Sequence, residues 1–113
     1  MIAILAALSA GIAIGFSAFG AHGAANAQAA EWLRTGGMYQ LVHAVAALAL
    51  GAMPGGRGPV IALLTGSALF AATLYAMAFS APRWLGAVTP IGGALMIAGW
   101  VWVAWRYAAA RRG

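Results

Sequence analysis

Residues 2–21 pass without a single charged side chain, and three further stretches, 37–53, 60–79 and 86–105, are almost as apolar. A bilayer crossing takes about 20 apolar residues. Inside hydrocarbon every backbone N–H and C=O must be satisfied within the protein, so a continuous apolar run of that length reads as a helix. A membrane barrel strand would instead alternate over about 10 residues. The four runs nearly exhaust the 113 residues and leave no room for a second domain. The expected fold is all-α: an integral membrane four-transmembrane-helix bundle, with spans at about 2–21, 37–53, 60–79 and 86–105 and a polar interfacial loop over 24–36.

Composition agrees. The chain is 65% hydrophobic and 6% charged, whereas a soluble domain carries about 25% charged residues. A soluble fold this short buries only about 60% of its chain surface, so lipid must solvate most of this one. The net charge of +5 comes from six arginines against Glu31, with no lysine and no aspartate. Arginines at the ends of apolar runs suit anionic headgroups and topology, not nucleic acid. The absence of cysteine excludes disulfides, thiolate chemistry and Cys-ligated metal centres.

The connections carry the polar residues. Asn26, Gln28, Glu31 and Arg34 lie in the alanine-rich stretch 24–36, which reads as a short helix on the membrane surface anchored by Trp32. Residues 54–59 form a Pro/Gly turn holding Arg57 among headgroups, and 80–85 form a second turn with Pro82 and Arg83. Trp100, Trp102 and Trp105, then Arg106, Arg111 and Arg112, close the fourth run as an aromatic belt and a basic end. A cleaved signal peptide is the rival reading of the first run, because Ala25-Asn26-Ala27 resembles a cleavage site. The run lacks a basic leader segment and is long for a signal core, which favours a retained span.

With four spans, both termini share a side with the 54–59 turn. That side holds Arg57, Arg106, Arg111 and Arg112, and the other holds Arg34 and Arg83. Four against two places both termini in the cytoplasm. Small residues mark expected close helix contacts: Ala3, Ala7, Gly11 and Gly15 on the first run, Ala62, Gly66, Ser67 and Ala71 on the third, and Gly92-Gly93 on the fourth.

His43 is the residue with most chemical capacity. It lies inside the second run, with Gln40 and Tyr39 three and four residues before it, so the three share or adjoin a helix face. Ionisable groups within a span usually face the protein interior. Two readings stand side by side: a neutral imidazole tying helices together, or a ligand-binding group joined by His22 at the mouth of the first run. On the orientation above, His22, Tyr39, Gln40, His43, Tyr75 and Thr89 gather towards the outer face as a candidate polar cluster. Thr89 is placed to cap the fourth helix, with Pro90 in its first turn. A carboxylate pair is impossible with one acid, and a Ser-His-acid triad would need Glu31, which lies in a loop. Glu31 and Arg34 read instead as a surface pair. No metal site is expected, and the chain is not expected to be an enzyme.

Ala18-Phe19-Gly20-Ala21-His22-Gly23, Tyr39-Gln40-Leu41-Val42-His43-Ala44, Leu69-Phe70 with Leu74-Tyr75, and Thr89-Pro90-Ile91-Gly92-Gly93 followed by Gly99-Trp100 occur in this order along nearly the whole chain. Together they resemble the YgdD / transmembrane protein 256-like family of small four-span inner-membrane proteins of unknown function. The resemblance implies a multi-pass protein of the bacterial inner membrane and points to His22, Tyr39, Gln40, His43, Tyr75, Thr89 and Pro90. Ser17 departs from it, where a small glycine is expected. It implies no particular cofactor.

Two functions follow as expectations. The first is a structural or accessory subunit whose partners are the bilayer, other membrane subunits or further copies of itself. The second is a carrier or binding module that holds a quinone, haem, metal or polar solute in the outer cluster. A channel would need a continuous polar path, which the inner half of the spans lacks.

Overall fold

The computed structural model describes residues 1–112. Its elements are α1 (Ile2–His22), α2 (Ala27–Leu50), α3 (Arg57–Ala78), a 3₁₀ turn (Arg83–Ala87) and α4 (Thr89–Arg112). Helices of 21–24 residues run roughly 32–36 Å, enough to cross a hydrocarbon core of about 30 Å. Three stretches are both long and apolar enough to cross: Ile2–His22, Arg57–Ala78 and Arg83–Arg112. The second helix has the length, but Gln28, Glu31, Arg34, Thr35, Gln40 and His43 lower its apolar content.

The segment 24–36 is not a separate surface helix. Its residues from Ala27 onward are the first turns of α2, which runs unbroken through Gly36-Gly37. The glycine pair, read as a boundary, is a contact point. A Cβ on Gly36 would stand 2.8 Å from the Tyr75 ring, and one on Gly37 would collide with Ser17 Oγ. Glycine there lets α1 and α3 close on either side of α2, and this packing outweighs the low helix propensity of the pair.

Each helix packs on its sequence neighbours, and α1 also touches α3. Among the described residues the backbones of α1 and α4 do not approach each other. The helices therefore form an open layer and not a closed ring. The reason lies in which small residues find a facing helix. A Cβ on Gly92 would stand 2.6 Å from the Gly66 carbonyl oxygen, so α3 and α4 touch backbone to backbone. Gly11, Gly15 and Gly93, expected to pack helices, have nothing within 4 Å of a Cβ position. The stripe on α1 points out of the layer.

The ends are locked locally. Asn26 Oδ1 accepts from the Ala29 N–H at 2.8 Å and caps α2. At the end of α3, Ala81 N–H donates to the Ala76 carbonyl and Ser80 N–H to that of Met77, a Schellman motif. Ser80 takes the left-handed conformation this requires, with φ of 79°. Met1 and Arg57 line one hollow, and Arg106 donates to the Pro54 carbonyl at 3.4 Å, so the start of α1, the turn before α3 and the end of α4 share one end of the molecule.

Candidate functional site

The buried polar side chains are Gln40, His43, Ser67, Thr73 and Thr89. Helical rotation turns Gln40 and His43 to different neighbours. Instead of one outer cluster, the structure forms three separate ties between helices.

In the first tie, His43 Nε2 lies 3.0 Å from Trp100 Nε1 on α4, and His43 Nδ1 lies 2.7 Å from the Tyr39 carbonyl one turn earlier. The indole N–H can only donate and the carbonyl can only accept. These contacts assign the neutral imidazole with its proton on Nδ1, and both ring nitrogens are engaged. The Tyr39 side chain turns outward and packs against Phe70 with ring centres 4.7 Å apart. Trp100, expected as an interfacial anchor, commits its polar atom to the helix layer.

In the second tie, Gln40 joins three helices. Its Nε2 donates to Ser9 Oγ on α1 at 2.9 Å, and its Oε1 accepts from Tyr75 OH on α3 at 2.6 Å. Phe16 stacks on the Tyr75 ring at 4.0 Å and seals it. In the third, Thr73 and Thr89 hydroxyls meet at 2.6 Å, and Thr73 reaches the Phe70 carbonyl at 2.9 Å. Thr89 is expected from its position to cap α4. Its hydroxyl instead faces Thr73 on α3, with the Leu85 carbonyl 3.3 Å away.

His22 does not join His43. It is exposed as the last residue of α1, beside the start of α2, whereas His43 lies 16 residues beyond Ala27, about 24 Å by the helical rise. No group of three or more His, Cys, Asp or Glu forms among the described residues. Glu31 and Arg34 pair at 3.7 Å with both side chains exposed. Arg83 lies over the Trp32 ring at 5.6 Å, and Arg106 over Trp105 at the same distance. Trp102 covers Gly58, where a Cβ would stand 2.5 Å from the indole. Arg57 is exposed at the start of α3.

Sequence reasoning passed over Ser9 and Trp100 as parts of these ties. A polar atom at helical spacing on each run was the available signal for Ser9. For Trp100 there was none, because its position near a helix end reads equally well as an interfacial anchor.

A helical membrane protein with polar side chains tied across its helices is the class that this fold and this layer define. Residues 16–93 match the family described as protein of unknown function (DUF423). Over 106 aligned residues the chain is 39% identical to a UPF0382 membrane protein of Staphylococcus saprophyticus, covering 87% of this chain and 88% of that protein. It is 38% identical over 109 residues to one from Haemophilus influenzae, covering 89% and 88%. It is 36% identical over 106 residues to the UPF0382 inner membrane protein YgdD of Escherichia coli, covering 86% and 81%. The chain belongs to this family of small membrane proteins, and it is a bacterial inner-membrane protein. No solved structure matches it.

Proposed function

We propose that the protein is a four-span accessory subunit without catalysis of its own, with both termini in the cytoplasm, that adds a helix layer to a larger membrane assembly. The observation that carries this reading is His43: its two ring nitrogens are held by Trp100 and by the Tyr39 carbonyl, so the most reactive side chain within the helices serves as a tie. The carrier reading loses its His43 and Thr89 centres to the same internal bonding. A crossing by α2 is supported by its burial between α1 and α3, which face its Gln40 with Ser9 and Tyr75. The outward stripe of α1, with Gly11 and Gly15 uncovered, supports a contact with a neighbouring helix.

The test is gentle extraction of the tagged protein from its own membranes, followed by native mass spectrometry, with Gly11→Leu alongside. A stoichiometric larger assembly that the variant loses, while its chain remains folded, supports the reading. A lone chain for both proteins contradicts it. Periplasmic and cytoplasmic reporters fused after residues 24, 55, 81 and 112 test the crossings separately.

A further inference from the structure

The Gln40 tie leaves one amide hydrogen without a partner. The Gln40 amide carries two hydrogens, and the Ser9 and Tyr75 hydroxyls one each. Among the described residues two contacts use them, Gln40 to Ser9 and Tyr75 to Gln40. Turning the amide over exchanges the roles of Ser9 and Tyr75, and one Gln40 N–H still has no acceptor. Gln40 is only 6% exposed, and an amide hydrogen without an acceptor is penalised in hydrocarbon.

That amide lies on the floor of a groove of about 410 Å³ between α1 and α3, where Ser9 also sits. The walls are Leu5, Leu8, Ile12, Leu64 and Ala68, and Thr65 is the remaining lining residue. The Thr65 hydroxyl gives its one proton to the Ile61 carbonyl at 2.7 Å, so it adds no donor to the groove. The groove is therefore an apolar slot with a surplus donor at its base, within the volume range of small-molecule sites. Its depth narrows the occupant. Gln40 lies six residues beyond the exposed Arg34 and 10 before Leu50, roughly 9 and 15 Å along α2. Headgroups and ester carbonyls of phospholipids stay at the edges of a core about 30 Å thick. Phospholipids bring no acceptor to this level, whereas a molecule dissolved in the hydrocarbon can.

We propose that the α1–α3 groove binds a membrane-dissolved carbonyl compound of the quinone type, its ring carbonyl accepting the surplus Gln40 N–H and its hydrocarbon tail lying along Leu8 and Ile12. This groove shares no lining residue with the hollow beside His43 and is compatible with an accessory role.

The probe is decylbenzoquinone with a ¹³C-labelled carbonyl, added to the full chain in phosphatidylcholine nanodiscs. Binding is read by equilibrium partition against protein-free discs, and the carbonyl stretch by infrared difference spectroscopy. The wild type binds one probe per chain saturably, with a lowered carbonyl frequency. Gln40→Met weakens binding at least tenfold and removes the frequency shift. Ala68→Trp fills the groove from an exposed wall position, leaves the polar atoms untouched, and abolishes saturable binding. Partition equal to that of empty discs overturns the proposal, as does Ala68→Trp binding like wild type. A dimer that Ala68→Trp disrupts, with no probe bound, also overturns it and gives the groove to a second copy.

Discussion

Trp100 Nε1 donates to His43 Nε2 across 3.0 Å, although the backbones of α2 and α4 do not approach closely. Two long side chains bridge the distance that α3 imposes. Between helices in lipid such bonds average about 0.6 kcal/mol and reach about 1.7. This one lies towards the upper end, because among the described residues the Trp100 N–H has no other acceptor and His43 Nε2 no other donor. A double-mutant cycle of His43→Ala and Trp100→Phe, read from unfolding in mixed micelles, should give a coupling of about 1–1.7 kcal/mol. A coupling near zero would mean that the two side chains are not bonded in the membrane.

The α3–α4 contact should be intolerant of any side chain at Gly92, where a Cβ would meet the Gly66 carbonyl and the Phe70 amide, both at 2.6 Å. Backbone cannot yield as a flexible side chain can. Gly92→Val should destabilise by about 3 kcal/mol, the upper range of overpacking. Gly11→Val, on the open face of α1, should change monomer stability by less than about 0.5 kcal/mol. Similar values for the two would contradict the open layer.

Ser80 holds a left-handed conformation at the end of α3, which costs a residue with a Cβ about 1–2 kcal/mol. Its side chain is exposed and makes no bond that a glycine would lose. Ser80→Gly should therefore raise stability by about 1 kcal/mol. A loss in the same unfolding assay would refute the turn geometry.

Asn26 caps α2 through Ala29. Asn26→Ala should cost about 1 kcal/mol, and Asn26→Ser much less, since serine caps comparably. Faster amide exchange over residues 27–30 in the alanine variant would localise the loss to the first turn.

The helices were readable because three of them are apolar runs that only lipid can solvate. The start of α2 was not. Glu31, Arg34 and Gly36-Gly37 imitate a loop, and only the facing Ser17 and Tyr75 reveal why glycine stands in a helix there. The buried faces were also hidden. In lipid both faces of a helix are apolar, so the periodicity that marks the core side of a soluble helix fades. Gly11 and Gly92 look alike in sequence, but one meets open space and the other a backbone. His43, Gln40 and Tyr75 stood out as polar atoms in apolar runs. Ser9 and Trp100, which bond Gln40 and His43, did not, since pairing depends on helix rotation and on a layer that closes α3 on α4 but leaves α1 apart from it.

The most direct test of a polar layer bonded within the chain is the ¹⁵N spectrum of His43 in lipid bilayers, assigned with His22→Gln protein labelled at histidine. Trp100 and the Tyr39 carbonyl require an unprotonated, hydrogen-bonded Nε2 and a protonated Nδ1. That pattern, with the Nε2 signal moving in Trp100→Phe, is the predicted result. A proton on Nε2, or an Nε2 signal indifferent to Trp100, would mean that the ring is free for other chemistry and would contradict the structural role given to it here.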